Sequence, residues 1–423
     1  MSKVRPAILI SAFAAHPEMS SETGIGWQFI KATLAATREQ GLEVVVLMNH
    51  RSYVVVQKEL LRLGLADRVT LVGGDMPAGL KWLLRPQLTR LEYLVWNRMA
   101  QAQVRKLSRD FDFILAHHVT FATEMFPTPI TACPPETYKV WGPVGSAGDP
   151  AVYRVPPVNK DARREEILQR IRDCIVRIPM TLIGKKVDLV LAQNARVASE
   201  FAKRGIRAEV FPNVIIKEEL QREIDSVLER SIPTDVEDAD RPLRLLAVGH
   251  LVARKRFELG MMALTSQYLR NSTFHIIGTP LPGHPDSLPS IARELGVSKR
   301  VHFIGRRQRP EVLAAMADYD VLIHPSGREG ASGVVGEATA MGIPVFCFDD
   351  TGAASVLDDA GASGIRLKAS SATSADDLAK AIRSAASLPR TRSRVWNETR
   401  FQNLQVRLLT EARDRRSTRG LVV

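Results

Sequence analysis

Short apolar runs that recur between stretches of helical spacing constrain this chain more than any other feature. They fall at residues 8–13, 44–48, 69–72, 113–116, 187–192 and 209–211, and they stop across the polar, acidic stretch 218–241. They then restart at 243–248, 273–277, 300–304, 321–324 and 344–348. Apolar runs alternating with helices read as parallel strands covered on both faces, so each half predicts a doubly wound α/β sheet. The 423 residues exceed one ordinary core and suit two domains of roughly 150–200 residues each. The expected organisation is a Rossmann-like domain over 1–216, a linker-like segment over 217–240 and a second Rossmann-like domain over 241–395. A last segment, 396–423, follows after the second sheet is complete and has helical spacing over most of its length.

In such sheets ligands bind beyond the carboxyl ends of the strands. That rule selects four loops: 11–26, His117-His118, 249–255 and 326–333. The last is the most informative. PSGREGASGVVGEATAMGIP, residues 325–344, places Glu329 and Glu337 with seven residues between them across a turn of small residues that opens a helix. Gly330, Ala331, Ser332, Gly333 and Val334 leave little side-chain bulk, so helix-start amides can approach an anion such as a phosphate. A carboxylate only accepts hydrogen bonds and suits the paired hydroxyls of a ribose or hexose. The competing reading is an ordinary helix start with an acidic flank.

Composition bounds the partners. With 45% hydrophobic and 25% charged residues the chain is globular, and a net charge of +12 favours phosphorylated substrates, acidic lipid headgroups or nucleic acid. The arginines of 390–419 lack aromatic interleaving suited to single-stranded bases, so nucleic acid is not expected as a partner. Cys133, Cys174 and Cys347 are odd in number and far apart, which points to a reducing cytoplasm rather than a disulfide framework. The apolar run 7–15 reads as a buried first strand rather than a signal peptide, and no run approaches the roughly 20 apolar residues of a membrane span. Residues 81–105 carry Trp82, Leu84, Leu88, Leu91, Val95 and Met99 near helical spacing among Lys81, Arg85, Arg90, Arg98 and Arg105. This stripe suits either an anionic membrane interface or the chain's own sheet. Location is expected in the cytoplasm, with peripheral contact on the cytoplasmic face of the inner or plasma membrane open.

Four blocks in order carry a family resemblance: AILISAFAAHPEMSSETGIGWQFIKATLAATREQGLEVVVLM near the start, LAVGHLVARKRFELGMMAL opening the second half, FHIIGTP with LGVSKRVHFIGRRQRPEVLAAMADYDVLIHPS, and the two-glutamate segment. Over most of its length the chain resembles glycosyltransferase family 4, retaining enzymes of the GT-B fold that use sugar nucleotides. The resemblance implies two Rossmann-like domains facing a cleft, with the C-terminal helix crossing back onto the first. It implies that Glu337 binds the nucleotide ribose, that Glu329 touches the transferred sugar and that residues 330–334 offer amides to sugar and diphosphate. Lys255 matches the family lysine on the diphosphate. His250 stands where the family usually has an arginine after Gly249, and Arg254 or Arg256 is the candidate replacement. Ala331 to Val334 also depart from the family's commoner E-G-F-G-L form, which leaves the donor open.

The same resemblance assigns the Gly24 and Gly26 loop to the far wall of the cleft, a histidine contact to His118 and base contact to the loop of Arg306 and Arg307. Each has a plainer reading as a tight turn, a satisfied interior histidine or an exposed basic loop. Trp141-Gly142-Pro143-Val144-Gly145-Ser146 reads as a rigid turn near the cleft with an acceptor role open. Asp110-Phe111-Asp112 precedes its strand and so reads as a solvated strand entry rather than a metal site. No metal and no tightly bound cofactor is expected; a UDP- or GDP-sugar would be a co-substrate. The implied function is retaining transfer of a hexosyl-type group from a nucleoside diphosphate sugar to a hydroxyl of a glycan or lipid-linked glycan, in polysaccharide biosynthesis. A sugar-nucleotide epimerase in the same cleft, or a binding protein without turnover, are the alternatives.

Overall fold

The computed structural model describes all residues except 1–3, 20, 75, 146–147, 157–159, 231–240, 283–286 and 421–423. Two wholly parallel sheets form it. The first runs β3-β2-β1-β4-β5-β6-β7, built from β1 (Arg5–Ala12), β2 (Glu43–Asn49), β3 (Val69–Gly74), β4 (Phe111–Thr120), β5 (Tyr138–Val144), β6 (Leu189–Ala192) and β7 (Ala208–Val210). The second runs β10-β9-β8-β11-β12-β13, from β8 (Arg244–Val248), β9 (Thr273–Ile277), β10 (Val301–Gly305), β11 (Val321–His324), β12 (Val345–Phe348) and β13 (Gly364–Leu367). In both, the strand order reverses beside the first strand, at β1/β4 and at β8/β11. These are the places where a doubly wound sheet opens a crevice.

Side-chain alternation builds a core on each face. Ile8 and Ile10 of β1 pack with Phe29, Phe401 and Leu408 on one side, and Ala7 and Leu9 pack with Tyr93, Trp96 and Phe201 on the other. Two expectations change here. Trp141 to Val144 lie in β5, a fully buried central strand, rather than in a turn; Gly142 and Pro143 disguised it because both residues usually interrupt strands. Ser146 of that segment lies outside the described residues. Within the expected linker 217–240, Glu218–Arg230 is a helix whose Leu220 and Ile224 pack into the second domain with Val335 and Trp396; residues 231–240 lie outside the described residues.

The Glu398–Thr418 helix lies on the first domain, where Phe401 meets Phe29 at 5.0 Å and Gln405 reaches His117 at 3.0 Å. Arg416 of that helix donates to Asp112 at 2.7 Å, so the second aspartate of the D-x-D is a structural anchor at the amino end of β4. A second tie runs the other way. Val152 and Val155 of the first half join the core of the second domain, held by the buried Arg256 guanidinium, which donates to the carbonyls of both valines.

Candidate active site

The loops leaving β8 and β11 meet at the switch point of the second sheet. After β8, Gly249 takes φ +145°, a conformation open to glycine, and the chain turns back through a short helical turn, Ala253–Lys255. After β11, residues 325–332 cross in front of that turn before the Gly333–Met341 helix begins. A backbone bond locks the two together: Gly327 N–H donates to the Arg254 carbonyl at 3.0 Å.

Glu329 sits at the centre. Its Oε1 lies 2.6 Å from Lys255 Nζ and 2.8 Å from Arg254 Nη1, and it accepts from Ser326 Oγ at 3.1 Å. Burial by itself would raise its pKa, but Lys255, His324 and Arg254 outweigh that and hold it at about 2. The carboxylate therefore keeps its charge throughout the physiological range. Arg254, not Arg256, supplies the guanidinium at this position, because Arg256 is fully buried against Glu258. His324, at the tip of β11, is buried with its Nε2 lacking a hydrogen-bond partner.

Glu337 lies inside the Gly333–Met341 helix, mostly buried, with Oε1 on Arg309 Nη2 at 2.6 Å. Burial raises its pKa against the opposing pull of Arg309. Arg309, two residues beyond the expected Arg306 and Arg307 pair, is thus the arginine of this loop that meets Glu337. Arg307 is exposed and donates to the Arg306 carbonyl at 3.1 Å, so its side chain makes no contact at this site. Ser332 is the cap of the helix yet makes no capping bond from its side chain. The first-turn amides, including those of Gly333 and Val334, are thus left for an external acceptor. Space is open in front of Gly333.

The first domain reaches this loop directly. Asn194 Nδ2 donates to the carbonyls of Glu329 and Gly330, each at 3.1 Å, while its Oδ1 caps the Ala195–Ala202 helix through the Val197 N–H. Gly148 forms an antiparallel bridge to Arg328. Neither contact was visible in the sequence, although an asparagine directly after a buried strand and before a helix is a cap signal.

The expected residues of the first half make their contacts within the first domain. His118 is fully buried, with Nδ1 on Ser11 Oγ at 2.9 Å and Nε2 on the Tyr93 phenol Oη at 3.1 Å, so both ring nitrogens are spent inside the first domain. β4 continues to Thr120, two residues past it, which puts His118 within the strand rather than at its tip. Gly24 and Gly26 serve packing: a Cβ would come within 2.2 Å of the Met19 carbonyl oxygen at Gly24 and 2.5 Å of the Ala14 carbonyl oxygen at Gly26. Both belong to the Ser21–Ala36 helix.

Burial pushes four histidines down from 6.5, His117 and His275 to about 4, and His118 and His324 to about 3. The unfolded chain therefore binds protons that the folded chain refuses. Stability present above pH 6.5 is lost as pH falls towards those folded values, by up to about 1.4 kcal/mol per pH unit for each fully buried histidine. The urea midpoint is expected to fall between pH 7 and pH 5, and His118→Gln to flatten that slope; an unchanged slope in the variant would show that His118 does not stay neutral.

Paired Rossmann-like parallel sheets, each reversing its strand order beside its first strand, are the architecture of the GT-B fold. Residues 230–401 match the family model described as "Glycosyl transferases group 1". The lipopolysaccharide glucosyltransferase WaaG of Escherichia coli (strain K12) is 34% identical over 119 residues, which cover 27% of this chain and 30% of that protein. Among solved structures, the apo lipopolysaccharide outer core galactosyltransferase WaaB aligns with TM-score 0.57 at 14% identity over 98% of this chain and 100% of that one. Apo OtsA aligns with TM-score 0.53 at 11% identity over 96% of each chain. The fold is therefore that of the GT-B proteins, and the second half of the chain carries the match to the group 1 glycosyl transferases.

Proposed function

We propose that the protein transfers a sugar from a nucleoside diphosphate donor to a hydroxyl of a glycan or lipid-linked glycan, with retention of anomeric configuration. The observation that carries this reading is the contact of Lys255 and Arg254 with Glu329 at 2.6 and 2.8 Å, beside a helix start without a side-chain cap. Two cations and free amides suit a departing diphosphate, while Glu329 and Glu337 suit sugar and ribose hydroxyls. In the proposed step the bond from the anomeric carbon to phosphate oxygen breaks and a bond to the acceptor oxygen forms on the same face. The acceptor's proton passes to the leaving phosphate oxygen, so the chain itself need supply no base. Charge grows on the diphosphate as the sugar becomes oxocarbenium-like, and Lys255, Arg254 and the amides of residues 330–334 meet that charge.

The names of WaaG and WaaB support an acceptor of the lipopolysaccharide kind, and hence work beside the cytoplasmic face of a membrane. No helix among the described residues is long and apolar enough to cross one. A screen of UDP- and GDP-sugars for hydrolysis and transfer, with product anomers read by NMR, tests the proposal. Glu337→Ala is expected to weaken nucleotide binding by about tenfold to a hundredfold, the worth of one or two charge-assisted hydrogen bonds. An epimerised sugar formed without any acceptor, or an inverted product, would sink the transferase or the retaining assignment respectively.

A further inference from the structure

One helical surface of the first domain is apolar and faces outward. The helices Lys160–Ile175 and Arg177–Gly184 follow each other almost without a break, since Val176 N–H bonds to the Arg172 carbonyl and Met180 N–H to the Val176 carbonyl. Pro179 accounts for the interruption, having no N–H to offer the Ile175 carbonyl. Met180 and Ile183 bury inward against Phe201. On the opposite side Ile167, Leu168, Ile171, Ile175, Ile178 and Leu182 are all exposed, from 45% at Leu168 to 71% at Ile178. Their spacing makes one stripe along the helix pair.

Charge brackets that stripe. Lys160 and Arg164 stand at one end and Lys185 and Lys186 at the other, with Arg170 and Arg177 at the flank. Residues 160–186 hold eight Lys or Arg against four Asp or Glu. Two of those acids are already engaged, Glu166 with Arg154 and Arg170, and Asp173 with Gln169. The 81–105 segment adds to the same side. Its Tyr93, Trp96, Ala100 and Val104 pack into the core that receives Met180 and Ile183, while Trp82, Leu84 and Leu91 remain exposed. Both outward surfaces thus cover one face of the first sheet.

We propose that this face, led by the 167–182 stripe, docks on a membrane surface rich in anionic lipid. Aliphatic side chains enter the boundary between headgroups and acyl chains, and the terminal cations meet the lipid phosphates. The stripe also opens towards the candidate site. Arg164 and Leu168 line a cavity of about 440 Å³ whose other wall includes Arg254 and Arg328. Resting on the transferase reading, this makes the cavity the entry for an acceptor anchored in the same membrane.

The test is co-sedimentation of the full chain with vesicles of equimolar phosphatidylglycerol and phosphatidylethanolamine, against phosphatidylcholine alone. Binding is expected to the anionic vesicles and to weaken with salt. The double variant Ile171→Asp with Ile178→Asp, and separately Lys185→Glu with Lys186→Glu, should each lower the partition coefficient by about tenfold or more. Cys133 and Cys347 are buried and Cys174 is exposed, so an environment-sensitive fluorophore on Cys174 should shift to the blue on binding. Wild-type protein that ignores anionic vesicles, or an undiminished double variant, would overturn docking. A wild-type dimer that the double variant splits would assign the face to a second copy of this chain instead. None of these readouts uses turnover, so loss of the transferase reading would leave the docking result standing.

Discussion

Lys255→Ala is expected to lower kcat/KM for the sugar-nucleotide donor by about a thousandfold, with most of the loss in kcat. An ammonium about 4 Å from a developing phosphate charge contributes about 4 kcal/mol at an effective dielectric of ~20. At about 1.4 kcal/mol per decade that is roughly three orders of magnitude, provided the interaction grows as the bond breaks. In the unliganded protein Lys255 is held by Glu329 at 2.6 Å, so the lysine is already aimed and donor entry exchanges one anion for another. Ground-state binding should therefore fall much less than turnover. Single-turnover kinetics beside equilibrium nucleotide binding separates the two. Equal losses in both would make Lys255 a binding residue only, and near-normal turnover would remove the proposed site. Arg254 still reaches Glu329 in the variant, so the loop should hold and the fold should survive.

The second large effect concerns stability. Arg256→Ala is expected to destabilise the protein by about 3–5 kcal/mol, the usual result of breaking a buried ion pair from one side. Arg256 is fully buried, its Nε donates to Glu258 at 2.5 Å and its remaining nitrogens donate to the Val152 and Val155 carbonyls. Removing it takes the guanidinium from the Glu258 carboxylate and the Val155 carbonyl and leaves the Val152 carbonyl with the Val155 N–H at 3.3 Å. The residue has φ 52°, but alanine and arginine share the left-handed penalty, so backbone strain does not enter the difference. Because the two valines come from the first half of the chain, the variant should also loosen the domains from each other. Urea unfolding would read the loss and limited proteolysis around residues 150–156 would read the loosening. A change below about 1 kcal/mol would show that the guanidinium is replaceable there.

Sequence and structure agree best where the determinants are local. Glu329, Lys255 and the small-residue loop were legible because each follows a strand, and the carboxyl ends of adjacent strands at a reversal of order must meet. Arg309 was missed because nothing near it in the chain shows that its guanidinium comes within 2.6 Å of Glu337. His118 was misplaced for a different reason. Alternation along a strand predicts which side a residue takes but not how far the strand runs, and β4 extends past His118 to Thr120. In the 81–105 segment, the residues with the most regular apolar spacing are not the buried ones. Leu83, Tyr93 and Trp96 turn inward, and Trp82 and Leu91 stay outside.

What the sequence determined by itself is the architecture: two doubly wound parallel sheets, with acidic and basic loops at the strand ends. Periodicity and the right-handed crossover leave a chain of this pattern few other arrangements. Only the tertiary structure decided which charges meet. Arg254 rather than Arg256 faces Glu329, Asn194 bridges the domains, and an isoleucine stripe stays uncovered. These are contacts between side chains far apart in the chain, whose partners depend on how two folded surfaces fit, and no local spacing encodes that fit.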